Sequence, residues 1–129
     1  MKKSVLIIDN DPIYLTITQK IIEKIDLASS ISIEKNGFTA IQFLTNAIEN
    51  KIELPQIIFL DIEMPVMNGW EFMDEYCKID KSFLSNTTIY IVSSSISTVD
   101  KDKAKGFSEI KDFISKPLTI ETLKSILSN

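Results

Sequence analysis

Histidine is absent from the 129 residues, and cysteine occurs once, at Cys77. Without imidazole there can be no histidine-based triad, no imidazole zinc site and no phosphohistidine formed on this chain itself. A lone cysteine allows no disulfide framework within the chain, which fits a reducing cytoplasm. Long apolar runs are missing too. The N-terminal stretch MKKSVLIIDND reaches an acid after four consecutive apolar residues, too few for the core of a signal peptide, and nothing approaches the roughly 18–20 residues that span a bilayer. The chain is therefore expected to be neither exported nor embedded in a membrane. Basic excess is likewise lacking: the formal net charge is −4, with no run of Lys or Arg. Direct nucleic-acid binding, which draws its affinity mostly from neutralising phosphates, is not expected.

What remains is an ordinary globular balance of 44% hydrophobic and 25% charged residues, enough to build one core in a chain of this length. Five short apolar or alternating runs, 4–9, 30–34, 56–61, 88–93 and 111–115, are separated by segments with helical spacing. That alternation predicts βα units around a parallel sheet. Ile13, Ile17, Ile21 and Ile25 recur every four residues and read as the apolar stripe of the first helix, with Asp11 as N-cap and Pro12 in the first turn. The alternating SISIE run predicts a half-exposed edge strand. Ile41, Leu44, Ala47 and Ile48 point inward from the second helix, and Trp70, Phe72, Met73 and Tyr76 lie on the third. A weak, charged fourth helix spans 98–107. Ile120, Leu123, Ile126 and Leu127 mark the last. Right-handed crossovers then give an α/β, doubly wound five-stranded parallel sheet in strand order 2-1-3-4-5.

In such a sheet the carboxyl ends of the strands form one rim, outside which ligands bind. Asp9, Asp61 and Ser93 end the first, third and fourth runs, and Lys116 comes just after the fifth. Two neighbouring carboxylates repel by about 4 kcal/mol at 4 Å for an effective dielectric near 20, unless a cation lies between them. An oxygen-rich rim without imidazole or thiolate selects a hard ion, Mg²⁺ above all when a phosphoryl group shares its coordination. Lys116 and Ser93 supply a positive charge and a hydrogen bond for that anion. Asp61 is the candidate nucleophile toward phosphorus.

The blocks VLIIDND, FLDIEMPVMNG, IVSSS and FISKPL, in this order and spacing, resemble the receiver domain of two-component response regulators over nearly the whole chain. The resemblance implies a flavodoxin-like (βα)5 fold. It makes Asp61 the acceptor of a phosphoryl group from a histidine kinase or histidine phosphotransfer protein, with Ser93 and Lys116 completing the reactive set. The implied Mg²⁺ ligands are Asp9, Asn10, Asp61 and the backbone carbonyl of Glu63. Ser93 and Phe113 are the implied switch residues, and the Lys116–Pro117 bond is implied to be cis. Output is implied through an unidentified protein docking on the face of helix 4, strand 5 and helix 5, by a monomer or a phosphorylation-dependent dimer. The chain is expected to be a single receiver domain over 1–129 with no output domain, a cytoplasmic phosphoacceptor and not an enzyme acting on other substrates.

Asn10 departs from the family, which usually carries a second acid there. An amide oxygen brings no charge, so weaker Mg²⁺ binding and slower phosphorylation are expected. An alternative reading is a pseudo-receiver adapter whose metal site Asn10 has disabled, against which stands the retention of Asp61, Ser93 and Lys116. An aspartate-nucleophile phosphohydrolase is a third reading, opposed by Glu63 in place of the second Asp of an Asp-x-Asp pair and by the lack of a cap domain. Asp11 reads as a helix cap, not a ligand. The Met64, Met67, Trp70, Phe72, Met73 and Tyr76 group reads as packing, not as a ligand box. Asn68-Gly69 reads as turn chemistry, with Gly69 taking a positive φ.

Overall fold

The computed structural model describes residues 2–95 and 97–128. Its elements run β1 (Lys3–Ile8), α1 (Pro12–Ile25), β2 (Ala28–Glu34), α2 (Gly37–Glu49), β3 (Ile57–Leu60), α3 (Gly69–Tyr76), β4 (Thr88–Ser93), α4 (Thr98–Lys105), β5 (Ile110–Ser115) and α5 (Ile120–Leu127), with a 3-10 turn at Lys81–Phe83. The strands form one parallel sheet in the order β2-β1-β3-β4-β5. No helix among the described residues is long and apolar enough to cross a membrane.

Successive strand side chains point to opposite faces, so strands buried on both sides must be apolar at every position. All four residues of β3 and the last four of β1 are buried accordingly. Val5, Ile7, Ile57, Phe59 and Val92 pack against α1 and α5 on one face. Leu6, Ile8, Ile58, Leu60 and Ile91 pack against α2 and α3 on the other. At about 1.5–3 kcal/mol per fully buried large apolar side chain, these two layers dominate the folding free energy. The rows of β1, β3, β4 and β5 are level where Ile8, Leu60, Ile91 and Phe113 align, so the segments leaving those four strands emerge on one rim.

Helix α1 corrects the sequence expectation. Its buried side chains are Tyr14, Leu15, Thr18 and Ile22, whereas Ile13 is 71% and Ile17 52% exposed. A step of four residues overshoots a full helical turn by roughly 40°. The four isoleucines therefore spiral around the helix, and only Ile21 and Ile25 reach the core. Ile120 is also exposed, while Leu123, Ile126 and Leu127 anchor α5. The packing reading of the third helix holds. Phe72, Met73 and Tyr76 are fully buried, and Met64, Met67 and Trp70 pack against them.

Candidate functional site

The rim begins where β1 ends. Asp9 continues the β1 ladder by donating its N–H to the Glu34 carbonyl (3.0 Å), and Asp61 continues β3 by donating to the Ile8 carbonyl (2.9 Å). Both carboxylates are thereby held at adjacent strand tips and both are buried, with residue exposures of 1% and 6%. Lys116 closes the group from β5. Its N–H donates to the Ser93 carbonyl at 3.0 Å, and the Lys116–Pro117 bond is cis. Its Nζ lies 2.8 Å from Asp9 Oδ2 and 3.8 Å from Asp61 Oδ1. The first is a charge-assisted hydrogen bond; the second is an electrostatic contact too long to be one.

One ammonium is not enough for two buried carboxylates. The Asp61 carboxyl is pushed up to about 6, mostly by burial and next by the Asp9 charge, while Lys116 and the N–H groups of Ile62 and Glu63 pull the other way. Ile62 N–H donates to Asp61 Oδ1 at 2.9 Å. Residual carboxylate repulsion in a donor set of oxygens alone fits a hard divalent cation. Among the described residues no group of three or more His, Cys, Asp or Glu side chains could hold a metal. Amide, backbone and water oxygens are the other donors that a hard ion accepts beside a pair of carboxylates.

Asn10 is exposed and lines an open cleft of about 490 Å³ beside the acids, together with Ile62, Glu63, Met64, Pro65 and Asn68. Asp11 is committed elsewhere. Its Oδ1 accepts the N–H groups of Ile13 (3.0 Å) and Tyr14 (3.3 Å) as the α1 N-cap, and its own N–H donates to Asp9 Oδ1 at 2.9 Å. Ser93 is buried at the end of β4, with its hydroxyl directed to the Ser95 carbonyl at 3.3 Å. Phe113 is half-buried on β5, and Lys101 of α4 lies over its ring at 5.5 Å. The structure thus joins Asp9, Asp61 and Lys116 by direct contacts. It sets Asn10 and Glu63 on the cleft wall, Ser93 on the neighbouring strand tip and Phe113 on the α4 side.

The loop after Asp61 corrects the expectation for Gly69, which has no positive φ; the left-handed residue is Val66, at 69°. Met67 N–H donates to the Pro65 carbonyl at 2.7 Å across it, a tight γ-turn on a β-branched residue. Gly69 is required for space. A Cβ there would lie 2.5 Å from the Asp61 carbonyl oxygen and 2.9 Å from Ile62 Cα. Asn68 caps α3 through a reciprocal box with Glu71, so the first turn of that helix is wedged against the backbone of Asp61.

Two neighbours of the site lie outside the reach of sequence reasoning. Tyr14 turns its ring toward Lys116, whose Nζ stands 4.5 Å from the ring centroid. Trp70 donates its indole N–H to Asp100 Oδ1 at 3.2 Å, tying α3 to the first turn of α4. Neither carries a motif. Tyr14 falls in the gap between isoleucines of the apparent stripe, and Trp70 has the spacing of a packing residue alone.

The model of the response regulator receiver domain family matches residues 5–128. The chain is 29% identical over 132 residues to the probable transcriptional regulator ycf29 of Porphyra purpurea, covering 100% of this chain and 56% of that protein. It is 29% identical over 92 residues to the sensor histidine kinase CheAY of Helicobacter pylori, covering 71% of this chain and 11% of that one. It therefore spans little more than half of the first relative and a small part of the second. The crystal structure of a two-component response regulator from Cytophaga hutchinsonii superposes with a TM-score of 0.89 at 30% identity, covering 99% of this chain and 96% of that one.

Proposed function

Because this chain belongs to the response regulator receiver domain family, a signalling domain of two-component systems, we propose that Asp61 is its phosphoacceptor. The observation that carries the reading is the contact of Lys116 Nζ with both Asp9 (2.8 Å) and Asp61 (3.8 Å). An Asp61 carboxylate oxygen attacks the phosphorus of a phosphohistidine on a kinase or phosphotransfer protein. The new O–P bond forms as the N–P bond breaks, and the imidazole leaves with the electron pair and takes up a proton. Lys116, already at 3.8 Å from Asp61, offers its ammonium to a phosphoryl oxygen as charge spreads over the transferring group. Burial excludes water from the carboxylates and strengthens these interactions.

A Mg²⁺ ion would be held by Asp9, Asp61, the Asn10 amide oxygen and the Glu63 carbonyl, and it would neutralise phosphoryl oxygens during transfer. Asn10 lowers the charge of that ligand set and so the affinity for the ion. Once Asp61 carries the phosphoryl group, the Ser93 hydroxyl exchanges the Ser95 carbonyl for a phosphoryl oxygen. The Phe113 ring moves inward after it, shifting an existing equilibrium of the α4, β5 and α5 face toward a form that a partner protein binds. Nothing in the rim's geometry favours an inert adapter.

Incubation with acetyl phosphate and Mg²⁺, then intact-mass measurement, tests the reading, with Asp61→Asn as control. A phosphoryl mass gained by the wild type and absent from the control is expected. No gain in the wild type ends it.

A further inference from the structure

We propose that Tyr14 is the positioning residue for Lys116, holding the ammonium in reach of Asp61 through the face of its ring. The inference rests on the phosphoacceptor reading of Asp61 and deepens it. The Lys116 side chain is only 15% exposed, and its ammonium stands against the buried Asp9 and Tyr14, where protein partners replace part of its water. Asp9 supplies one at 2.8 Å and Asp61 a longer one at 3.8 Å. The Tyr14 ring centroid lies 4.5 Å from Nζ, well within the range of about 6 Å at which an aromatic face attracts a cation.

The kind of partner matters. A third carboxylate would neutralise Lys116 and compete with an arriving phosphoryl oxygen. An aliphatic side chain would leave the desolvated ammonium to settle wholly on Asp9. An aromatic face attracts the charge, offers no lone pair in its place and leaves the N–H bonds free to be redirected. The ring is responsible, not the hydroxyl: Tyr14 Oη is buried, and although near Thr18 it makes no hydrogen bond of good geometry. Burial, with Asp9 adding to it, raises the phenol above its ordinary range, so the group is neutral throughout the physiological range.

The ring is also well anchored. Tyr14 lies in the first turn of α1 and is 7% exposed. Its N–H is held by Asp11 Oδ1, and the Asp11 N–H is held by Asp9 Oδ1. The carboxylate that grips Lys116 therefore also fixes the helix start that carries the ring.

The test is a double-mutant cycle on the rate of Asp61 phosphorylation by acetyl phosphate at saturating Mg²⁺. Tyr14→Leu is expected to slow the rate about fivefold, the size of a partly desolvated cation–π contact, and Tyr14→Phe to recover it. In a Lys116→Met background, Tyr14→Leu is expected to have no further effect, because the ring acts only through the ammonium. Tyr14→Met carries the same expectations should Tyr14→Leu fail to fold. An equal slowing in both backgrounds would reveal a packing role and overturn the proposal, as would a Tyr14→Leu rate equal to the wild type. A wild type that gains no phosphoryl mass defeats the reading of Asp61 itself, a distinct outcome.

Discussion

Replacing Asp61 with Asn should stabilise the domain, although it removes the proposed phosphoacceptor. The Asp61 carboxyl has an ordinary value of 3.8 and stands at about 6 in the fold. Between these values the folded chain holds a proton that the unfolded chain has released. Stability therefore falls as pH rises through that window, and the loss is complete above about pH 6. At about 1.4 kcal/mol per pH unit, the gap amounts to about 3 kcal/mol at neutral pH as an upper bound. Asn has no charge to desolvate, and its amide oxygen can still accept the Ile62 N–H. It does forfeit the attraction of Lys116, so a gain of about 1–3 kcal/mol at pH 7.5 is expected, against a total stability of about 5–15 kcal/mol for a domain. Urea denaturation in EDTA between pH 4 and 8, monitored by the fluorescence of Trp70, the single tryptophan, measures it. The difference between variant and wild type should rise through the window and level off near pH 7. A flat difference, or one that falls with pH, would refute the argument. Mg²⁺ should narrow the gap by binding the wild type, since a ligand of the folded state stabilises it by mass action.

Asn10→Asp should tighten Mg²⁺ binding in a direct titration and speed phosphorylation; an unchanged affinity would mean that position 10 does not face the ion. Gly69→Ala places a methyl group 2.5 Å from the Asp61 carbonyl oxygen, and since both atoms nearest to it are backbone, a loss of about 1–3 kcal/mol is expected in urea denaturation. Trp70→Phe removes the hydrogen bond to Asp100. Faster amide hydrogen exchange is expected across 97–105, with a loss of about 1 kcal/mol, and unaltered exchange there would show that α4 is held by other contacts.

Strand order and rim are legible in the sequence because each rests on a local rule. An apolar run such as Ile57–Leu60, too short for a helix of ordinary length, fits a strand covered on both faces, and the connection rules reduce the possible strand orders to a handful. Asp9 and Asp61 then share a rim because each comes directly after a buried strand. The faces of the helices are less legible. Four isoleucines at equal spacing resemble a stripe on α1, but the repeat of about 3.6 residues per turn carries Ile13 and Ile17 into water. Gly69 beside Asn68 suggests a conformational need, whereas the need is one of volume beside the Asp61 backbone. Tyr14 and Lys116 are far apart in the chain, and no pattern within either helix or strand announces that a ring and an ammonium meet.

The level alignment of Ile8, Leu60, Ile91 and Phe113 also dictates where this chain can change in length. Adding or removing a single residue inside β1 or β3 would turn every later side chain of that strand to the opposite layer, sending Asp9 or Asp61 into the wrong half of the molecule. Insertions at the opposite pole, such as between Glu49 and Pro55, would leave the acids and Lys116 where they are. Laboratory insertion libraries should accordingly find tolerance at one pole of the sheet and none in the strands that lead to the other.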